Sequence, residues 1–214
     1  KSWEKVALVW STWSWKTTIS KILLRLFEIN SWEILVNWNN IKDIKKSSLR
    51  KHIWIVMQDS SLFNTSILEN MKYAKTDASL EEIENALKKA KADFVFKTED
   101  WLNTLIWERW LKLSGWEKQR INIARIMLKN PEILILDEAT SALDNKTEIE
   151  IQQSLDALME GKTSIIIAHR LSTIKKADRI FVLKEGVLFE EGTHEELMKL
   201  SGEYSKLYEL SQKS

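Results

Sequence analysis

Residues 10–17 read W-S-T-W-S-W-K-T and end in the pair Lys16-Thr17, between a short apolar run and an amphipathic stretch. Their length and ending are those of the phosphate-binding pattern G-x-x-x-x-G-K-[ST], in the strand-to-helix setting that pattern requires, with its glycines missing. Such a loop curls backbone N–H groups around phosphate oxygens, its lysine reaches the β and γ phosphates, and the following hydroxyl ligates magnesium. A lone Lys-Thr pair more often simply opens a surface helix, so the assignment depends on other positions. Asp137 and Glu138 follow four apolar residues and leave the carboxyl end of a buried strand, where ligands of open α/β sheets bind. There Asp137 would hold magnesium through water and Glu138 would act as general base on the attacking water. His169 ends the apolar run 164–168 in the same way and could hydrogen-bond the γ phosphate or that water. Gln58 ends the run 53–57 and offers an amide oxygen to magnesium. Taken singly these are a solvated strand end, a structural histidine and an ordinary glutamine. Together they offer phosphate, metal, base and histidine chemistry at four strand ends, which points to magnesium-ATP hydrolysis.

The elements that must position these groups are legible in outline. Residues 5–9, 53–57, 133–136 and 164–168 predict buried strands, and 16–27, 79–91, 117–129 and 146–158 predict helices by apolar spacing. Ser79 with Glu82 reads as a capping box, Leu80, Ile83, Leu87 and Ala90 share its helix's apolar face, and Asn130-Pro131 closes the third helix. Residues 33–36 predict a further strand before a polar turn at 37–40, and 179–184 with 187–191 flank Glu185-Gly186 as a hairpin. Asp144 or Asn145 would cap the helix 146–158, and Thr193 with Glu196 a last amphipathic region. Apolar strands alternating with helices predict an α/β fold with a mainly parallel sheet, a partial antiparallel β part, and a helical subdomain inserted over about 60–120. The core would be about 1–59 and 121–214, within one ordinary domain's length.

Bulk properties narrow the partners. The 32 basic and 31 acidic side chains nearly cancel, which leaves no electrostatic footprint for nucleic acid. Cysteine is absent, removing disulfides and thiolate metal sites. No apolar run approaches the roughly 18 residues that cross a bilayer, and a first residue other than Met predicts a piece of a longer polypeptide.

At this point the chain resembles the ATP-binding cassette (ABC) family. LKLSGWEKQRINIAR (111–125) is similar to that family's signature, ILILDEATSALD (133–144) to its Walker B strand and D-loop, VMQD (56–59) to its Q-loop, and IIIAHRLSTI (165–174) to its histidine switch. FNTSILENMKYA, IWERWLKLSG and EEGTHEELM resemble exporter-type members, whose transmembrane helices precede the ATPase on the same chain. The resemblance implies a P-loop NTPase fold binding ATP and Mg2+. It implies nucleotide contacts at Trp10, Ser11, Thr12, Trp13, Ser14, Trp15, Lys16, Thr17 and Thr18, magnesium partners at Thr17, Gln58 and Asp137, and catalytic roles for Glu138, His169 and Gln58. Ser114, Gly115, Trp116 and Glu117 would meet the ATP of the opposite subunit in a head-to-tail dimer, with Asp144 of the D-loop communicating across the seam. Glu108 and Arg109 would sit near the coupling helices. The implied protein is an export ATPase at the cytoplasmic face of the inner membrane, driving a transmembrane partner domain. DNA-repair members of the family carry a long coiled coil for which the interval between P-loop and signature leaves no room.

The departures concentrate in one residue type. Five glycines and eleven tryptophans together match the about 15 glycines expected for this length. Each tryptophan, at 3, 10, 13, 15, 32, 38, 54, 101, 107, 110 and 116, falls where the family has or tolerates glycine, in turns or close-packed sites. An indole disfavours positive φ and fills the space that phosphates need, so the loop as written would not bind ATP. The reading that follows is UGA decoded as tryptophan where the cell inserts glycine. The alternative, with tryptophan real, is a catalytically inactive ABC-like scaffold.

Overall fold

The computed structural model describes residues 2–10, 16–29, 31, 33–57, 61–106, 113–137, 145–167 and 171–212. In chain order these form β1 (Lys5–Trp10), α1 (Lys16–Leu23), β2 (Leu35–Val36), β3 (Asn39–Asn40), α2 (Lys46–His52), β4 (Ile53–Val56), α3 (Ile67–Ala74) and α4 (Leu80–Lys89). They continue with two short 3-10 turns, α5 (Gly115–Lys129), β5 (Ile133–Asp137), α6 (Asn145–Met159), β6 (Thr163–Ile167), α7 (Leu171–Ile174), β7 (Arg179–Lys184), β8 (Val187–Gly192), α8 (His194–Leu200) and α9 (Glu203–Gln212). The chain divides into two compact units, one of Lys1–Ile55, Glu132–Glu138 and Gly161–Ser214, the other of Val56–Pro131 and Ala139–Glu160.

The first unit is built on a six-stranded sheet in the order β4-β5-β6-β1-β7-β8. β5, β6, β1 and β7 run parallel and β8 returns antiparallel at one edge. The parallel strands are near-continuous runs of Ile, Leu and Val, as strands covered on both faces require. The edge strand β8 instead exposes Val187, Leu188 and Phe189. The expected mostly parallel α/β sheet with an antiparallel part is therefore what the chain forms. Glu185 and Gly186 take φ of 51° and 82° between β7 and β8, the doubly left-handed turn suited to a two-residue hairpin.

α1 is shorter than its apolar spacing suggests. It ends at Leu23, and Arg25 turns left-handed, its Nη1 donating to the carbonyls of Ile41 (2.7 Å) and Ile44 (2.5 Å). The carbonyl of Leu24 is taken by Nε of Arg50 at 3.1 Å. Side chains distant in sequence thus satisfy the helix end, and Leu26 and Phe27 lie exposed.

The second unit packs α3, α4 and α6 against α5. Capping boxes begin α4 at Ser79 and Glu82 and α5 at Ser114 and Glu117, and Asn130 closes α5 with a left-handed residue before Pro131. The apolar stripe of α4 runs through Ile83, Ala86, Leu87 and Ala90. Leu80, expected on that stripe, is 53% exposed because it is the first helical residue and lies beyond the packed turns.

Among the described residues, three tryptophans occupy backbone that suits glycine: Trp3 at φ 65°, Trp38 at 65° and Trp101 at 48°. Asn37 (49°) and Trp38 are the central residues of the β2–β3 hairpin, where positive φ at both makes Asn-Gly the favoured pair. The expected polar turn at 37–40 is therefore tighter than supposed, since Asn39 and Asn40 pair with Val36 and Leu35. A bulky residue in left-handed backbone costs about 1–2 kcal/mol. Trp38 is 92% exposed and loses almost no burial on truncation. Trp38→Gly is accordingly expected to raise stability by about 1 kcal/mol, seen as a rise of roughly 2–4 °C in the thermal midpoint. Not every tryptophan lies at a turn. Trp54 is within β4 and Trp116 in the first turn of α5. Trp10 closes β1 at 8% exposure, packed in a core cluster with Ile41, Leu49, Ile53, Ile135 and Ile167.

At the far end of the first unit, Thr193 and Glu196 cap α8 reciprocally, and Nδ1 of His194 lies 2.8 Å from the hydroxyl of the buried Tyr204. Burial pushes the Tyr204 hydroxyl up to about 12. Burial, helped by Lys175 and opposed by Glu195, holds the His194 imidazole below its usual 6.5. A group depressed in this way binds fewer protons folded than unfolded, so its stabilisation is complete above pH 6.5 and declines as pH falls toward the folded value. In His194→Gln the loss of thermal midpoint between pH 7.5 and pH 5.5 is expected to be smaller than in the parent.

Candidate functional site

Sheet register decides which strand ends meet. Asp137 pairs with Ile167, and Ile167 pairs with Leu8, so the carboxyl ends of β5, β6 and β1 form one edge of the sheet. The apolar residues preceding Asp137 are buried, which fixes where β5 stops and brings its carboxylate out at the surface of the core. α1 starts at Lys16, with five residues between it and the end of β1, and packs against β5. The contact is specific, since Oγ of the buried Ser20 donates to Oδ2 of Asp137 at 3.4 Å. Ser20 is one helical turn beyond position 17 of the same helix. Thr18 is half-buried.

Ser20 escaped the sequence reading. Its signal was a small hydroxyl three residues after Thr17 on an otherwise apolar helix row. Trp10, expected among the nucleotide contacts, places its side chain in the core cluster. Lys16 and Thr17 are described through their backbone, as the first residues of α1. Ser11, Thr12, Trp13, Ser14 and Trp15 lie outside the described residues, as do Gln58, Glu138, Asp144 and His169. By sequence, Glu138 is the residue after Asp137, His169 the second after β6, and Gln58 the second after β4.

In the second unit the start of α5 carries the other set. Ser114 and Gly115 are exposed and Trp116 and Glu117 half-buried. The Ser114 N–H and Oγ donate to Oε2 of Glu117 at 2.8 and 2.9 Å, and the Glu117 N–H donates back to Oγ of Ser114 at 3.3 Å. Reciprocal capping holds Ser114 in a fixed place at a helix N-terminus, the end whose dipole favours anions. An open cleft of about 570 Å³ adjoins it, lined by Lys91, Lys97, Trp116, Arg120 and Glu150 among others. Arg120 spans it, donating from Nη1 to the Lys91 carbonyl at 3.0 Å and pairing with Glu150 at 2.9 Å.

The described donors here are oxygens, the Asp137 carboxylate and the Ser20 hydroxyl, chemistry suited to a hard divalent cation such as Mg2+. No cluster of three or more His, Cys, Asp or Glu that could hold a metal ion exists among the described residues.

Known proteins match along nearly the whole chain. A heavy metal tolerance protein of Schizosaccharomyces pombe is 50% identical over 95% of this chain and 25% of its own length. An ATP-dependent lipid A-core flippase of Syntrophus aciditrophicus is 46% identical over 97% of this chain and 35% of its own length. ABC transporter B family member 1 of Arabidopsis thaliana is 47% identical over 98% of this chain and 16% of its own length. The chain therefore spans about a third or less of these relatives. The family model described as ABC transporter matches residues 2–141, from β1 through the carboxylate at the end of β5, and the chain belongs to the ABC transporter family.

Proposed function

We propose that this chain is the ATPase domain of an exporter, hydrolysing ATP at the edge where α1 begins and β5 ends. The observation that carries it is the contact between Ser20 and Asp137, which sets the Lys16-Thr17 helix start beside a strand-end carboxylate. Lys16, Thr17 and Thr18 with the preceding loop, residues 10–15, bind the phosphates, Glu138 draws the proton from the attacking water, and His169 orients that water against the γ phosphate. Mg2+ would be held by Thr17, Gln58 and Asp137, where it would neutralise phosphate charge. Ser114, Gly115, Trp116 and Glu117 present the start of α5 to the ATP of a second copy in a head-to-tail dimer, with Asp144 at the seam.

The relatives' names, a flippase and a heavy metal tolerance protein among them, support export as the work coupled to hydrolysis, through transmembrane helices on the same polypeptide at the cytoplasmic face of the inner membrane. Their identity covers the chain end to end and lends no support to an inactive scaffold. We further propose that the cell inserts glycine at the eleven tryptophan positions. The left-handed backbone of Trp3, Trp38 and Trp101 supports this independently of any motif. The codons at these positions test it directly: UGA is expected at all eleven, and a set of UGG codons would sink the idea. ATP turnover of the glycine-decoded chain and its Glu138→Gln variant tests the enzyme.

A further inference from the structure

We propose that Leu26 and Phe27, with the cations around them, form a docking knob for an acidic, amphipathic loop from the membrane part of the same polypeptide. The inference rests on the exporter reading given above. The turn that follows α1 holds these two side chains outward. The Leu26 N–H donates to the Lys21 carbonyl at 2.8 Å and the Arg25 N–H to the Ile22 carbonyl at 2.9 Å, with Arg25 left-handed at φ 50°. In this helix ending the residue after the left-handed one usually packs on an apolar residue five or six positions earlier. Here those positions are Lys21 and Ser20, and Leu26 stays 54% exposed with Phe27 at 49%.

Two arginines fix the frame. Nη1 of Arg25 donates to the carbonyls of Ile41 and Ile44, and Arg50 donates from Nε to the Leu24 carbonyl at 3.1 Å and from Nη2 to the Arg25 carbonyl at 3.4 Å. An apolar pair presented on a pre-formed turn loses little freedom when a partner covers it.

The charge around the pair points to the partner's chemistry. Arg50 and the Lys46–Glu28 pair, at 3.2 Å, tie α2 to this turn, and Nζ of Lys21 lies 5.5 Å from the centre of the Phe27 ring. Residues 42–52 carry Lys42, Lys45, Lys46, Arg50 and Lys51 against the single acidic Asp43, although the whole chain is nearly balanced. Lys42, Lys45 and Lys51 are exposed. Two apolar side chains inside a basic collar complement a segment that sets Asp or Glu beside an apolar face. The head-to-tail dimer proposed above uses the Lys16 end of α1, whereas Phe27 follows its other end, about 12 Å of helix away. This face is therefore left to a partner other than the second ATPase domain. The chain spans about a third or less of its relatives' length, and the loop would come from the remainder.

The test uses the full-length glycine-decoded protein in proteoliposomes, with the photo-crosslinking residue p-benzoylphenylalanine at position 27. Irradiation is expected to give an adduct on a loop between membrane helices of the same polypeptide, close to Asp or Glu, in yield well above that of the same probe at the exposed Leu200 of α8. Lys42→Glu/Lys45→Glu/Lys51→Glu should lower that yield about tenfold, as losing several exposed charge pairs does, and reversing the acidic residues beside the adduct should recover it. Adducts with lipid alone in phosphatidylglycerol vesicles, adducts only with a second copy's ATPase domain, or none above the Leu200 level would overturn the proposal. So would a loop adduct indifferent to the charge reversal. The probe at position 26 carries the same expectations and decides the matter should the position-27 protein fail to fold. A gene without membrane helices, or no Glu138-dependent ATP turnover, removes the exporter reading and this inference with it, whereas Glu138-dependent turnover with no loop adduct overturns the inference alone.

Discussion

Replacing Glu138 with glutamine in the glycine-decoded chain is expected to lower ATP turnover by about 10²- to 10⁴-fold, the usual worth of a positioned general base, while ATP binding persists. The swap keeps the size of the side chain and removes only its capacity to take a proton. The groups proposed to hold the nucleotide are left in place: Lys16 and Thr17 at the start of α1, and Asp137, which accepts from Ser20. Phosphate release measured beside equilibrium nucleotide binding separates the two contributions. A parent that binds ATP but releases phosphate no faster than Glu138→Gln would favour a nucleotide-binding scaffold. A variant that loses binding as well would show that the residue supports the site rather than the chemistry.

Much of this was readable from the sequence because local rules and the fold agree there. Capping pairs at Ser79 and Thr193 mark helix starts through hydrogen bonds spanning three residues, so no distant information is needed, whereas the similar pair at Ser114 starts α5 two residues before the expected 117. The run ILILD identifies a buried strand and its carboxylate because a strand covered on both faces leaves no room for polar residues before its end. What stayed hidden depends on long-range partners. α1 stops at Leu23, where Arg25 reaches the carbonyls of Ile41 and Ile44 and the distant Arg50 takes the carbonyl of Leu24, which no periodicity of residues 16–27 reports. α2 and α3 are short and were missed, since two turns give too few apolar repeats to read. Ser20 and Arg125 looked like ordinary helix residues until Asp137 and Ser61 were seen against them.

Restoring glycine at 10, 13 and 15 together is expected to convert the chain as written from no measurable ATP binding at millimolar nucleotide to ready binding, a change of about a hundredfold or more. The estimate follows from backbone donors. A hydrogen bond to a charged group contributes about 1.5–3 kcal/mol, so two such bonds blocked by indoles remove about 3 kcal/mol or more, which is at least two decades of affinity. The three positions are not equivalent. Trp10 is buried against Ile41, Leu49, Ile53, Ile135 and Ile167, so Trp10→Gly alone should leave a cavity in the printed chain and cost about 3–5 kcal/mol, whereas Trp38→Gly stabilises. Isothermal titration of ATP into the printed chain, the Trp13→Gly/Trp15→Gly pair and the triple variant, each with its thermal midpoint, distinguishes the contributions. The pair should recover part of the affinity without loss of stability, and the triple variant most of it. If all three tryptophans can be kept with full ATP affinity, the loop does not bind phosphate through its backbone, and the glycine reading loses its functional argument.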